Sequence, residues 1–207
     1  MKILILYSEL AGYFMACVRR YLEIYGGEMH IVRWPINPEA PFNFDGIAGV
    51  TYYERNDYDT GELLELAKKI QPDLVYSAGW IDKPYLKVNR YFRRQGVPVI
   101  AAFDTQWKGT FRQKVATWMS PFFILNSFSH AWVPGLFQYE YARRLGFSRE
   151  RILMGMYSAD IKLFEPVYAA AMAAKKQAYP HRFLYVGRYL ALKGVLELYH
   201  AFREMSA

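Results

Sequence analysis

Two segments of the chain gather residue types that bind or move charge. The first is Val186-Gly187-Arg188-Tyr189-Leu190-Ala191-Leu192-Lys193-Gly194-Val195. Gly187 has no side chain, so a ligand can approach its backbone closely. Arg188 offers a planar fork to phosphate oxygens, and Lys193 a compact point charge. An apolar run precedes the segment and a helical pattern, Lys193–Met205, follows it. The start of a helix favours anions, so these residues can hold a diphosphate. The plain alternative is a surface turn carrying two solvated charges. The second segment is Phe103-Asp104-Thr105-Gln106-Trp107. A carboxylate at Asp104 can accept or remove the proton of a hydroxyl, and Trp107 can stack on a sugar ring. Against this, Asp104 or Thr105 would serve equally as the cap of a following helix.

Other chemistry finds little support. The four histidines, His30, His130, His181 and His200, have no metal-ligand spacing, so no metal is expected. The single cysteine, Cys17, falls inside a helical pattern and reads as packed rather than reactive. Neither the dinucleotide G-x-G-x-x-G pattern nor a P-loop occurs, and no cofactor is expected.

The elements that must position these residues alternate. Strands are expected at Lys2–Tyr7, Met29–Trp34, Val50–Tyr53, Asp73–Ser77, Val97–Phe103, His130–Val133 and Arg151–Met154. Helices are expected at Tyr13–Tyr25, Glu62–Ile70 with Thr60 as cap, Lys83–Gln95 and Gly135–Leu145. Residues 108–125 read as partly helical, broken near Ser120-Pro121. This order predicts an α/β fold, a Rossmann-like doubly wound parallel sheet. Ligands then bind at the carboxyl ends of the strands. Three such ends are Ser8–Tyr13, which contains Gly12 and Tyr13, then Ser77–Asp82, then Asp104–Gly109. The expected division is a first domain over residues 1–165, a linker helix over 166–180, and the opening strand (His181–Gly187) and helix of a second domain over 181–207. One strand and one helix cannot bury a core. The tail is therefore expected to dock on the first domain or to pair with the same segment of another molecule, giving a homodimer.

With 53% hydrophobic and 22% charged residues the chain is globular rather than disordered. One cysteine allows no internal disulfide, no run approaches the length of a membrane span, and no signal-peptide core occurs. A cytoplasmic location follows. The formal net charge of +7 suits an anionic ligand or an anionic membrane, and no nucleic-acid motif is present. Lys83, Lys87, Arg90 and Arg94 share one helical face. Residues 108–125 mix Lys108, Arg112 and Lys114 with Phe111, Trp118, Met119, Phe122 and Phe123. That mix suits a helix lying on the inner face of a membrane, or a core helix with a basic outer face.

The segment around Arg188 and Lys193 resembles the VGR…KG element of family 4 glycosyltransferases, which have the GT-B fold. Further stretches agree in order and spacing: Gln71–Ser77, Val97–Phe103, Ala131–Pro134, and Arg151–Pro166 with its Leu163-Phe164-Glu165-Pro166. The resemblance implies an enzyme moving a sugar from a nucleotide-sugar donor to an acceptor hydroxyl with retained configuration. The acceptor would be a sugar, a lipid-linked molecule or another alcohol. Gly187, Arg188 and Lys193 would hold the donor diphosphate; Gly12, Tyr13 and Trp107 would line the acceptor cleft. Asp104 stands where the family often has a histidine. The family's paired glycines are reduced here to Gly12, and Tyr157-Ser158-Ala159-Asp160 replaces its "nGvD". The chain is expected to be the first half of such a two-domain enzyme and inactive by itself. The other function class left open is a non-catalytic nucleotide- or ligand-binding module of the same fold.

Overall fold

The computed structural model describes residues 1–36, 44, 46–178, 183–187 and 189–205. The chain divides into two compact units, Met1–Asp160 and Ile161–Ala207.

The first unit is built on seven parallel strands: β1 (Lys2–Leu6), β2 (Glu28–Arg33), β3 (Val50–Glu54), β4 (Leu74–Ala78), β5 (Val99–Ala102), β6 (His130–Val133) and β7 (Ile152–Met154). Their order across the sheet is β3-β2-β1-β4-β5-β6-β7. Every neighbouring pair is parallel. Five helices connect them: α1 (Gly12–Tyr25), α2 (Thr60–Ile70), α3 (Lys83–Arg94), α4 (Phe111–Phe123) and α5 (Leu136–Arg144). This is the Rossmann-like doubly wound sheet.

Strand alternation sorts the core into two layers. Leu4, Leu6, Val32, Val75, Val99, Ala101, Ala131 and Val133 pack on one face with residues of α2, α3 and α5, among them Leu63, Val88 and Tyr141. Ile3, Ile5, Tyr7, Ile31, Tyr76, Ile100 and Ala102 pack on the other with Met15 and Val18 of α1. The near-continuous apolar runs of β1 and β5 are the signature of strands covered on both sides.

Local chemistry departs from expectation at two helices. Asp59, not Thr60, caps α2: its Oδ1 accepts from the Gly61 and Glu62 backbone N–H at 2.6 and 2.8 Å, and Glu62 Oε2 accepts from the Asp59 N–H at 2.9 Å. That reciprocal pair is a capping box. Helix α4 is not broken at Pro121. Proline forfeits one rung, but beyond it the Ile124 and Leu125 N–H groups both donate to the Ser120 carbonyl.

In the second unit, α6 (Ile161–Gln177) begins earlier than the linker helix expected over residues 166–180 and runs through Pro166. A short 3-10 turn, Ala191–Lys193, leads into α7 (Val195–Met205). The expected strand His181–Gly187 falls partly outside the described residues. Its described part, Phe183–Gly187, has no strand pairing. A lone strand has no neighbour to complete its hydrogen bonds, which accounts for its irregular course. Neither α6 nor α7 contains a buried residue.

Candidate functional site

The order of the strands locates the crevice. From β1 the chain moves outward to β2 and β3, then returns to the other side of β1 as β4. Such a reversal opens a gap above the carboxyl ends of the two central strands. A cavity of about 670 Å³ lies there, lined by Tyr7, Ser8 and Glu9 after β1 and by Gly79, Trp80 and Ile81 after β4. Asp104, Thr105 and Lys108 after β5 add a third wall, with Arg112 and Gln113 of α4, Tyr13 of α1 and Met156 and Tyr157 after β7. The volume falls within the usual range for a small-molecule site.

The floor is aromatic. Tyr7 stacks on Phe14 with centroids 4.3 Å apart, and Tyr76 lies 5.6 Å from Phe14 and 5.9 Å from Trp132. Burial, and next to it the neighbouring Tyr76, holds the Tyr7 hydroxyl far above the usual phenol range. Burial does the same at Tyr76. Both stay protonated at any physiological pH and present neutral hydroxyls.

The rim carries charge. Asp104 follows β5 with its side chain exposed. Its Oδ2 accepts from the Tyr157 hydroxyl at 3.1 Å, and its backbone carbonyl accepts from Gln138 Nε2 at 3.0 Å. Burial and the Asp104 carboxylate raise the Tyr157 hydroxyl well above its ordinary value. Tyr157 is therefore a lasting donor, and Asp104 keeps lone pairs for a further donor. Tyr13 meets the Tyr157 ring edge-on at 5.4 Å. Lys108 and Arg112 supply positive charge on the same wall.

Gln113 shapes that wall. It is buried; its Nε2 donates to the Gln106 carbonyl at 2.7 Å and its Oε1 accepts from the Lys108 N–H at 2.8 Å. The loop that follows Asp104 is thus tied to α4. Thr110, not Asp104 or Thr105, caps α4, accepting from the Gln113 N–H at 3.3 Å. The carboxylate of Asp104 is free of that capping task.

The sequence-derived residues fall in different places. Asp104 and Tyr13 line the cavity. Gly12 opens α1, where a Cβ would meet nothing within 4 Å. Trp107 turns into the packing instead, 5.8 Å from Tyr141 and with the Arg144 guanidinium 4.6 Å over its ring. Gly187 and Lys193 lie in the second unit. A Cβ on Gly187 would come within 2.8 Å of the Tyr185 hydroxyl, and exposed Lys193 closes the 3-10 turn before α7. Arg188 lies outside the described residues. The sequence reading missed Tyr7, Tyr76, Tyr157 and Gln113 as parts of the site. The signal for the first two was available: each is a tyrosine near the end of a central parallel strand. Among the described residues no three of His, Cys, Asp and Glu converge to hold a metal ion.

No protein-family model matches the sequence, and no curated protein matches it. Solved structures do match the fold. One is the UDP-N-acetylglucosamine 2-epimerase from Rickettsia bellii: 13% sequence identity, TM-score 0.50, covering 87% of this chain and 52% of that one. Another is the UDP-GlcNAc 2-epimerase from Neisseria meningitidis bound to UDP-GlcNAc: 12% identity, TM-score 0.46, covering 88% and 54%. The chain thus spans about half the length of these epimerases, and at such identity the likeness is one of fold.

Proposed function

We propose that this chain is part of a nucleotide-sugar enzyme that transfers a glycosyl group to an acceptor hydroxyl. In this reading the cavity of the first unit takes the acceptor. Asp104 accepts the hydroxyl proton, and Tyr157 orients the carboxylate. Gly187, Arg188 and Lys193 hold the donor diphosphate and stabilise its departure, as the resemblance to family 4 glycosyltransferases implies. Catalysis is then positioning plus charge stabilisation.

The observation that carries the reading is the Asp104–Tyr157 pair at the rim of a cavity over the carboxyl ends of β1, β4 and β5. Neutral tyrosines below and a carboxylate with spare lone pairs above suit a polyhydroxylated ligand with an apolar ring face. A fold shared with a nucleotide-sugar epimerase agrees with the same general chemistry.

The test gives the protein at its natural length a panel of nucleotide sugars with and without simple glycoside acceptors, scored for free nucleoside diphosphate and for product. Acceptor-dependent release supports transfer. Conversion of the donor to its epimer without an acceptor contradicts transfer. Binding with no turnover at all returns the chain to a non-catalytic module.

A further inference from the structure

Helix α4 is amphipathic in reverse. Its buried positions are Gln113 and Ser120. Both are polar and both are satisfied: Gln113 by the loop before it, and Ser120 by the Leu145 carbonyl. On the opposite side stand Phe111, Val115, Trp118 and Phe122, spaced four, three and four residues apart. Their exposures are 82%, 37%, 77% and 69%. Phe123 beside them is 47% exposed. Four of these five are large aromatics, each with about 150–250 Å² of surface to bury. An apolar stripe of this size left in water marks a binding surface.

Charge identifies the occupant. Between Thr105 and Tyr139 the chain contains no Asp or Glu, yet it contains Lys108, Arg112 and Lys114, all exposed. At 3.6 residues per turn, Arg112 falls on one flank of the stripe and Lys114 on the other. Leu136 and Phe137, 75% and 73% exposed, open α5 next to Gln138, which bonds the Asp104 carbonyl at the cavity rim. Aromatics flanked by cations, on a stretch of sequence that carries no acidic residue, match the boundary between acyl chains and anionic headgroups. Among the described residues no helix is long and apolar enough to cross a membrane, so the contact is peripheral.

We propose that α4 docks this chain on an anionic lipid bilayer. Phe111, Trp118 and Phe122 enter the acyl boundary, and Lys108, Arg112 and Lys114 lie among the headgroups. Lys108 and Arg112 also line the cavity, so docking sets its mouth beside the lipid surface. The inference stands on α4 alone and does not depend on the reaction assigned to the cavity.

Trp118 is the most exposed of the five tryptophans, at 77%, and the other four are half-buried, so its emission reports the contact. The 207-residue chain is mixed with phosphatidylcholine vesicles, with and without phosphatidylglycerol, and followed by co-sedimentation and fluorescence. Binding should require phosphatidylglycerol, fade with salt, and shift the emission to the blue, a shift that Trp118→Phe removes. Arg112→Gln and Lys114→Gln should each weaken binding roughly fivefold, and Trp118→Ser with Phe122→Ser should abolish it. Circular dichroism checks the fold of the double variant; should that variant unfold, the single charge changes and Trp118→Phe decide. The proposal is overturned by absence of binding to phosphatidylglycerol vesicles, by equal binding to neutral ones, or by binding that a folded double variant retains. It is equally overturned if the chain is a dimer that this double variant dissociates, since a second copy then covers the stripe.

Discussion

The Tyr157 hydroxyl donates to Asp104 Oδ2 at 3.1 Å, although 53 residues separate the two. The bond joins the loop after β5 to the loop after β7, passing over β6. Tyr13, from the start of α1, braces the Tyr157 ring. Two loops and the first turn of α1 therefore meet at this pair. Burial, and next to it the Asp104 carboxylate, keeps Tyr157 protonated, because ionising it would put two negative charges side by side in a partly desolvated place.

In the account above, Asp104→Asn removes the group that accepts the proton, and Tyr157→Phe removes only its orientation. Asp104→Asn should lower kcat by about 10²-fold or more. Tyr157→Phe should cost less, on the order of tenfold, in line with the ~1.5–3 kcal/mol of a hydrogen bond to a charged group. Neither should lower the melting temperature by more than a few degrees, since Asp104 is exposed. Steady-state kinetics and thermal melts of both variants check this. Equal, full activity in both would remove the pair from the mechanism.

Three tyrosines should resist alkaline titration. Burial raises Tyr7, Tyr76 and Tyr85 far above the ordinary phenol value. A raised folded pKa means the folded state holds its proton more tightly than the unfolded chain. The resulting stability is fully present below about pH 10 and is lost as pH rises beyond it. These three should ionise only as the fold melts. Phenolate absorbance followed together with circular dichroism gives the answer. Complete ionisation before any loss of structure would contradict it.

Asp82 is predicted to be a stability hub. It accepts from Arg55 Nε at 3.1 Å, from Trp34 Nε1 at 3.2 Å and, as cap of α3, from the Tyr85 N–H at 3.0 Å. Its side chain is 12% exposed and that of Arg55 15%. Asp82→Ala strands a largely buried guanidinium and uncaps a helix, which should cost about 3–5 kcal/mol in urea unfolding. Lys68→Ala, which breaks an exposed pair with Glu65, should leave the urea midpoint nearly unchanged.

Both buried clusters of the sheet draw only on residues before Ile161. A chain ending at Asp160 should therefore fold, with the same unfolding midpoint as the full sequence. The exposed Leu196, Tyr199, Phe202 and Met205 of α7 predict that any self-association is lost with residues 161–207. Light scattering on the two lengths tests this; a first unit that fails to fold alone would contradict the division.

The sheet and its helices were legible because parallel strands covered on both faces read as short apolar runs, and helices with a core side read as periodic ones. Asp104 was legible because it follows such a run directly. Other features were not. A buried glutamine has no sequence signature, so Gln113 could not be told from a surface residue. Helix periodicity gives the angle between apolar side chains but not which side faces the core. The aromatics of α4 were thus equally compatible with a core helix, and the structure turns them outward. Trp107 looked like a sugar platform, but a tryptophan next to a strand end packs inward as readily, and here Tyr141 and Arg144 hold it.

The most direct test of the account is nucleoside-diphosphate release from a nucleotide sugar, measured on the protein at its natural length with and without an acceptor alcohol. Wild type, Asp104→Asn and Lys193→Ala are compared. The account predicts release that requires the acceptor, falling about 10²-fold or more in Asp104→Asn and about 10²–10³-fold in Lys193→Ala. Release that ignores the acceptor, or that survives both substitutions unchanged, would contradict it.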